Sequence, residues 1–418
     1  MRYLLALLIL LSALPAWAQW EQLAVPLPTS STPIQALAEV DGVLYVGTSR
    51  GLFRSPDDGA TWETLTSGLP SQPSVRAIAA VPGFIVISTS SAVYRSVNGT
   101  QWTTVGTGLG TDAGRVAHLL YVPGDGLYAG GGGNVTASPG VYRSTDLAAT
   151  FEARNNGIPG AGPTDTYRGV DGLAAVGPNV LAAVNANFGE VSGTFRSVNQ
   201  GANWAHVTPG LGGADVLTTS GNTFVGGFGL EIHRSVDNGD SWIEGARFSG
   251  FVTSVHGRGQ EVWASVNLAA PQRSLDGGVA WTEAGEGLGT TSSTRVGLVY
   301  VGTEYVFGGT SGANLWRRPV GGATAAEPGA TAPGLELLVA PNPARGAATV
   351  TLTLNAAQPA TVTVYDALGR RVAALHDGML AAGPHAFRLD TAALPAGVYV
   401  ARAVTGGAVV MHRLTVVR

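Results

Sequence analysis

The sequence predicts an all-β protein in which a seven-bladed β-propeller, closed by its N-terminal strand, precedes a small Ig-like β-sandwich. Three observations predict this fold: a short motif that recurs along the chain, apolar runs of strand length between its copies, and a change of composition after residue 320. Repeats of roughly 40 residues with several short strands each are typical of propellers.

The motif first occurs at residues 54–62, and its six serines lie 38 to 53 residues apart. Each copy separates two apolar runs, which predicts a β-hairpin. Asp or Asn accepts hydrogen bonds from the turn backbone, Gly adopts positive φ, and Trp covers the turn. The copy at residues 143–151 has lost Gly and has Phe for Trp. The predicted turn residues are Ser55, Asp57, Gly59, Trp62, Asn98, Trp102, Asp146, Phe151, Asn199, Gly201, Trp204, Asp237, Gly239, Trp242, Asp276, Gly278 and Trp281.

This pattern resembles the Asp-box, or BNR, repeat, Ser-x-Asp-x-Gly-x-x-Trp, over about residues 20–320. Members of that superfamily include sialidases, sortilin-type receptors, xyloglucan hydrolases and photosystem-assembly factors. The resemblance implies that each motif forms the outer hairpin of a propeller blade. It does not imply one function, because these relatives do unrelated things.

The blade count follows from the strand candidates around each motif. Residues 34–40 and 43–46 precede the first copy, and similar pairs precede later ones. Residues 295–317 supply three strands of a seventh unit without the motif, so a fourth strand is missing. Residues 20–23 (Trp-Glu-Gln-Leu) resemble residues 62–65 (Trp-Glu-Thr-Leu) and can complete that unit. We therefore predict that the N-terminal strand closes the ring and removes its exposed edges.

The N-terminus predicts export. Arg2, an apolar run over residues 4–14 and the sequence Ala16-Trp17-Ala18 are typical of a signal peptide at residues 1–18, cleaved before Gln19. The apolar run is too short to span a bilayer, and no later stretch of the mature chain qualifies.

The composition excludes several classes of function. Charged residues make up 12% of the chain, the net charge is −4, and all 24 basic residues are arginine, which gives no reason to expect a nucleic acid partner. The chain contains no cysteine, which excludes disulfides, thiol catalysis and cysteine metal sites. The seven histidines show no metal-type spacing, so we predict no metal and no cofactor.

The C-terminal part divides into a linker at residues 321–334, rich in Gly, Ala, Thr and Pro, and a β-rich domain at residues 335–418. The latter resembles the type A C-terminal sorting domain of the type IX secretion system of Gram-negative bacteria. The matching segments are Pro-Asn-Pro at 341–343, residues 364–370, residues 394–400 and the final residues 413–417. This resemblance implies the type IX secretion machinery as a partner and a secreted or cell-surface location after passage through the periplasm. An ordinary adhesive module is the alternative.

Two groups of residues are candidates for a ligand site. Long insertions at residues 130–140, 160–168 and 186–193 fall on one face of the predicted propeller, where long loops are commonly functional, although they could be tolerated insertions. Their candidate residues are Asn134, Asp165, Tyr167, Arg168, Asn187, Phe188 and Glu190. Arginines also precede several inner strands and could bind an anionic group, or could be solvated loop residues paired with nearby acids. They are Arg76, Arg115, Arg168 and Arg295.

Catalysis is not predicted. Tyr167, Glu190 and Asp165 could be arranged as in a sialidase, but the Arg-Ile-Pro segment of those six-bladed enzymes is missing. A glycosidase needs two carboxylates at a set separation, and acids here are sparse. The first hypothesis is an exported propeller that binds a glycan or a surface protein. The alternatives are an extracellular glycoside hydrolase or sialidase-like enzyme, and a non-catalytic assembly or docking factor.

Overall fold

The structure is a computed structural model that describes residues 19–27, 32–131, 140–158, 168–186, 192–208, 213–288, 296–312, 314–320, 335–354, 357–366, 371–392, 394–405 and 408–417. The described strands fall into two compact units, one before and one after residues 321–334. The described residues contain no α-helix, and one 3₁₀ helix spans Gly110–Arg115.

The described residues of the first unit contain 28 strands. In chain order they are β1 (Glu21–Leu23), β2 (Ile34–Val40), β3 (Val43–Thr48), β4 (Gly51–Ser55), β5 (Glu63–Leu65), β6 (Val75–Val81), β7 (Phe84–Thr89), β8 (Val93–Ser96), β9 (Thr103–Val105), β10 (Val116–Val122), β11 (Gly126–Gly131), β12 (Val141–Ser144), β13 (Glu152–Ala153), β14 (Arg168–Val176), β15 (Asn179–Ala186), β16 (Gly193–Ser197), β17 (Ala205–His206), β18 (Val216–Ser220), β19 (Thr223–Phe228), β20 (Glu231–Ser235), β21 (Ile243–Arg247), β22 (Val252–Arg258), β23 (Glu261–Val266), β24 (Gln272–Ser274), β25 (Thr282–Glu283), β26 (Val296–Val301), β27 (Tyr305–Thr310) and β28 (Leu315–Pro319).

These strands form seven antiparallel sheets of four strands each. The first six sheets take four consecutive strands, from β2–β5 to β22–β25, and the seventh has the order β1-β28-β27-β26. The first strand of each sheet lies beside the first strand of the next, and β26 lies beside β2. The N-terminal strand therefore belongs to the same sheet as the last strands of the unit.

Apolar side chains lie between the sheets because both faces of the inner strands are covered. In β7 (Phe-Ile-Val-Ile-Ser-Thr) all six residues are buried, as expected of a strand with a neighbouring sheet on each side. Seven buried hydrophobic clusters each join two neighbouring sheets. One of them joins the seventh sheet to the first, since it contains Leu23, Phe307 and Leu315 together with Leu44 and Phe53.

The N-terminal strand β1 is anchored by Trp20, which is 4% exposed. The Trp20 indole donates a hydrogen bond to the Ala284 carbonyl at 2.7 Å and meets the Trp263 ring edge-to-face with centroids 5.5 Å apart. Arg318 is fully buried beside them and donates to Glu286 at 2.7 Å. Because the large Trp20 side chain is buried, the N-terminal strand is held by packing as well as by its three residue pairs with β28.

Five of the six repeated turns share one hydrogen-bond pattern, and of the two bonds made by the motif serine the second copy keeps only its Ser–Asn bond. In the first copy, the Ser55 hydroxyl donates to Asp57 Oδ1 at 2.8 Å and accepts the Gly59 N–H at 2.7 Å. Asp57 also accepts the Thr61 N–H at 2.7 Å. In the fifth copy, hydrogen bonds from Ser241 lower the pKa of Asp237 to about 2. The carboxylate oxygens of the aspartate thus accept hydrogen bonds from their own turn.

In three places the arginine that precedes the motif serine, or its counterpart in the seventh sheet, bonds the turn of a neighbouring sheet. Arg95 Nη1 donates to the Leu147 carbonyl at 2.8 Å, and Arg196 Nη1 donates to the Asn238 carbonyl at 3.0 Å. Arg317 Nη1 donates in the same way to the Asp58 carbonyl at 2.7 Å, from the seventh sheet to the first. All three acceptor residues have φ between 55° and 63°. The residue with positive φ in each of these turns therefore offers its carbonyl oxygen to the arginine of the neighbouring sheet, which donates a hydrogen bond to it.

The second unit is one sheet of seven strands in the order β32-β31-β34-β35-β29-β30-β33. A single hydrophobic core includes Val350, Leu352, Val362 and Leu414. The strands are β29 (Leu335–Arg345), β30 (Ala347–Leu354), β31 (Gln358–Asp366), β32 (Arg371–Leu380), β33 (Gly383–Asp390), β34 (Gly397–Thr405) and β35 (Ala408–Val416).

Strand β29 contains Pro341 and Pro343, which cannot donate backbone hydrogen bonds and are rarely found inside a sheet. The structure places both prolines where the strand changes partners. Up to Ala340 it pairs antiparallel with β30, whereas Ala344 pairs in parallel with Val416 of β35. Two residues without N–H groups are tolerated there because the ladder with β30 is interrupted.

We expect the backbone of the third copy of the turn to be strained at two residues. Its hydrogen bonds are kept, but Leu147 and Ala148 adopt φ of 63° and 65° where the first, fourth and fifth copies have a polar residue and glycine. Leu147 is 57% exposed, so its removal loses little burial. We expect Leu147→Gly to raise the free energy of unfolding by about 1 kcal/mol in denaturant titrations, because glycine adopts this φ without strain.

The control for this prediction is Val97→Gly, at an exposed motif position that is not among the positive-φ residues. This substitution should lower the free energy of unfolding or leave it unchanged. A stabilisation by Val97→Gly as large as that by Leu147→Gly would contradict the strain.

Candidate functional site

A cavity of about 270 Å³ lies on the axis of the first unit and is lined by residues from the first strand of all seven sheets. Its titratable lining residues are Arg76, His118, Asp171, His256 and Tyr300. The first strands begin at one end of this cavity, which also holds the connections between second and third strands. We call that end the mouth face, and the repeated turns lie on the opposite side.

The first strands are bulged next to the mouth face. In six of the seven sheets, the register of the first strand against the second skips one residue near its beginning. The skipped residues are Gln35, Arg76, Ala117, Asp171, Thr253 and Gly297. A β-bulge re-aims a side chain and is common near binding sites. It places Arg76 and Asp171 on the cavity wall although their neighbours pack between sheets.

Arg76 is held from the neighbouring sheet. Its Nη1 donates to the Gly114 carbonyl at 3.0 Å, in the 3₁₀ helix before β10. A Cβ at Gly114 would lie 2.6 Å from the Ser90 carbonyl oxygen, so glycine allows this helix to approach the second sheet. Among the described residues, no carboxylate lies within ion-pair distance of Arg76. Its guanidinium is therefore positioned at the cavity with most of its donors unused by described residues.

Arg115 lies one residue beyond Gly114 and so belongs to the same corner of the mouth face. Its Nη1 is 4.0 Å from Asp112 Oδ1, and Asp112 also accepts the Tyr142 hydroxyl at 2.9 Å. The structure thus bonds Arg76 to the residue that precedes Arg115, and Arg115 has an acidic neighbour within its own helix. Arg76 is the better placed of the two to receive a ligand anion.

The two histidines of the cavity are neutral. Burial lowers the pKa of His118 to about 4, and burial with a smaller effect of Arg258 lowers that of His256 to about 4. His256 Nδ1 accepts the Val301 N–H at 3.0 Å, which leaves Nε2 as its protonated nitrogen. Its ring lies 4.4 Å from that of Tyr300, whose pKa is raised by burial.

Most of the other sequence-predicted site residues lie outside the described residues, namely Asn134, Asp165, Tyr167, Asn187, Phe188, Glu190 and Arg295. Arg168 is the first residue of β14. The sequence analysis did not single out His118, Asp171 or His256 as cavity residues. Their positions in the sequence could have indicated them. Each lies one to four residues after the valine that precedes the bulge in its strand.

The cavity can bind and orient a ligand but presents few catalytic groups. Asp171 is the single carboxylate among its described lining residues, so no carboxylate pair faces the cavity there. In the part of the chain that the structure describes, no group of three or more His, Cys, Asp or Glu side chains is arranged to hold a metal ion.

The cavity histidines predict an acid-sensitive stability. Their folded pKa values of about 4 lie below the usual 6.5, so their contribution is complete above pH 6.5 and is lost as the pH falls toward 4. We expect the free energy of unfolding to decline over this range, by on the order of 1–3 kcal/mol per histidine. His118→Gln should make the decline shallower in denaturant titrations at pH 7, 6, 5 and 4. An unchanged slope in this variant would contradict the assignment.

Two family models match the chain. The model of the DUF6242 β-propeller domain matches residues 15–318, and that of the secretion system C-terminal sorting domain matches residues 338–417. No curated protein sequence matches the chain. The described part of the chain contains no helix with the length and apolar character that a membrane span requires.

Solved structures with the same fold include the extracellular domain of a one-component system, BT4673, from B. thetaiotaomicron, with 13% identity and a TM-score of 0.54. That match covers 92% of this chain, which spans only 57% of the solved chain. YCF48 from Cyanidioschyzon merolae matches with 15% identity and a TM-score of 0.51, over 72% of this chain and 98% of its own. YCF48 bound to D1 peptide matches with 17% identity and a TM-score of 0.53, over 73% and 98%.

These likenesses show the fold alone, because every identity is below 20%. The sorting domain has a more specific meaning. It is the type IX secretion signal, so the chain is handled by that machinery and exported to the cell surface or secreted. The chain thus belongs to the DUF6242 β-propeller family and carries a secretion system C-terminal sorting domain.

Proposed function

We propose that the protein is an exported, non-catalytic binding propeller whose ligand presents an anionic group to Arg76 at the mouth face. The single observation that carries this proposal is the position of Arg76, which lines the axial cavity and has no acidic partner among the described residues. A guanidinium in a concave site binds carboxylates and similar anions through forked hydrogen bonds. The ligand in this proposal is a glycan or a surface protein.

The proposed architecture is a closed ring of seven blades, each blade one of the seven four-stranded sheets. The pairing of β1 with β28 and the hydrophobic cluster between the seventh and first sheets support closure by the N-terminal strand. We also propose that the repeated turns are Asp boxes, on the basis of the shared Ser–Asp hydrogen bonds. The proposed domains are a signal peptide at 1–18, the propeller at 19–320, a linker at 321–334 and the sorting domain at 335–418.

Binding is favoured over hydrolysis by the composition of the cavity. Hydrolysis by a two-carboxylate mechanism requires a second acid opposite Asp171, and the described lining residues supply none. The turn aspartates are not available, since their oxygens accept hydrogen bonds from the turn itself. An assembly or docking role remains compatible with an anionic site on the mouth face, because one structure of the same fold is described as bound to a peptide.

The test is an array of neutral and acidic glycans, probed with the mature chain and coupled to detection of released sugar. We expect acidic glycans to be retained without sugar release, and Arg76→Ala to weaken retention at least tenfold, as expected for loss of a charged hydrogen bond. The matched control is Arg50→Ala, which removes an equal charge from an exposed turn on the same face. Equal retention by Arg76→Ala, or sugar release, would contradict the proposal.

A further inference from the structure

We infer that the ligand of the axial cavity is a glycan that inserts a terminal uronic acid, with the carboxylate at Arg76 and the sugar hydroxyls on the backbone of the surrounding strands. This inference rests on the proposed function and names its ligand class. It follows from which atoms of the first strands face the cavity.

Backbone atoms form the cavity wall directly inside the mouth. Each first strand contributes one lining residue at the same register, namely Leu37, Ile78, Leu119, Leu173, Leu217, Val255 and Val299. The side chains of all seven belong to the hydrophobic clusters between sheets or pack against them. Leu37, for example, belongs to the cluster that contains Phe307 of the seventh sheet. Since these side chains lie between sheets, the residues line the cavity with their backbone.

The unpaired edge of each first strand faces the cavity. Each of these strands is the terminal strand of its sheet, so one side of its backbone has no neighbour in the ladder. At the level of the seven lining residues, Val299 donates its N–H to Ser254 Oγ of the neighbouring sheet at 3.2 Å. The shared register directs the other six N–H groups in the same way. In the described part of the chain, Ser254 is the only side chain that bonds one of these seven N–H groups.

The position of Ser254 is occupied by alanine in the first two sheets, where Ala36 and Ala77 follow the bulge as Ser254 does. An alanine side chain cannot accept a hydrogen bond, so the N–H groups of Ile78 and Leu119 are left for a ligand or solvent. Two backbone donors of the second and third sheets are therefore available at this level.

Arg76 supplies the charge on the same side of the cavity. It lies two residues before Ile78 in β6, and its Nη1 donates to the Gly114 carbonyl, which leaves Nε and Nη2 to bond two carboxylate oxygens in parallel. The cavity histidines are neutral at physiological pH and add no second positive charge. A ligand head with a single carboxylate beside hydroxyl groups matches this combination of one cation and backbone donors.

Hydroxyl groups suit an unpaired strand edge. Such an edge alternates N–H donors with C=O acceptors, and a hydroxyl both donates and accepts hydrogen bonds. A pyranose ring carries hydroxyls around its rim, as the seven strand edges surround the cavity axis. A polypeptide terminus brings fewer groups of this kind around one plane. The cavity wall therefore favours a sugar over a polypeptide.

The size and depth of the cavity limit the ligand to one sugar unit. Its volume of about 270 Å³ equals that of roughly nine water molecules in the liquid. Its lining residues reach only as far as His256 and Tyr300, whereas β22 and β26 continue to Arg258 and Val301. Because the cavity ends part-way along the strands, a glycan enters it from the mouth with a chain end.

The test is isothermal titration of the mature chain with two hyaluronan tetrasaccharides of equal composition. One has glucuronate at its non-reducing end, and the other has N-acetylglucosamine there. Methyl glucuronide and methyl galacturonide, each compared with its neutral methyl glycoside, test the carboxylate. We expect binding to be about tenfold tighter for the glucuronate-ended tetrasaccharide than for the other, and for a methyl uronide than for its neutral counterpart, as expected of a charged hydrogen bond.

Two pairs of serine substitutions test the backbone contacts without a change of charge. Ala36→Ser with Ala77→Ser supplies the hydroxyl that Ser254 has in the sixth sheet, so that it accepts two of the cavity N–H groups. We expect uronide binding to weaken about tenfold, because two hydrogen bonds to the ligand are lost. The matched control is Ala38→Ser with Ala79→Ser, two residues further along the same strands and outside the cavity lining, which should leave binding unchanged. Thermal unfolding establishes that both variants are folded.

Equal binding of the two tetrasaccharides, or equal weakening by the two serine pairs, would overturn the inference. Retention of acidic glycans on the array through Arg76, without binding of either uronide, would overturn it and leave the proposed function standing. Absence of binding in both assays would refute both.

Discussion

The pairing of β1 with β28 is the constraint on which the first unit depends. Without β1, the last sheet would have three strands and β28 would present an unpaired edge. Leu23 of β1 belongs to the cluster between the seventh and first sheets, and Trp20, just before β1, packs in the cluster between the sixth and seventh sheets. The axial cavity is lined by the first strands of all seven sheets, and the last of these sheets includes β1, which is only three residues long.

The repeated turns act at two levels. Within a sheet, the Ser–Asp hydrogen bonds hold a hairpin whose left-handed residues would otherwise be unfavourable. Between sheets, the carbonyls of those left-handed residues accept the motif arginine of the preceding sheet. The third copy keeps the Ser144–Asp146 hydrogen bond although it has lost the glycine. Ala148 adopts the positive φ in its place.

Local patterns were predictable and non-local geometry was not. The bounds predicted for β2, residues 34–40, agree with the structure because this segment is an apolar run between turn residues. The bulge that turns Arg76 into the cavity depends on pairing with β7, and its bond to Gly114 depends on a third sheet, so neither can be read from spacing. The prolines of β29 concealed a strand because a change of partner cannot be seen in one segment. Of the arginines before inner strands, Arg76 lines the cavity, and its role in binding a ligand stays a prediction.

The function proposed here depends on closure, because the cavity and its mouth are formed only when the seventh sheet stays beside the first. The most direct measurement is hydrogen exchange of the backbone amides in β1 and β28, compared with β5, which holds the equivalent outer position through a hairpin. A ring closed by the N-terminal strand predicts that residues 21–23 exchange as slowly as residues 63–65. Exchange of residues 21–23 at the rate of an unstructured terminus would contradict the closed ring.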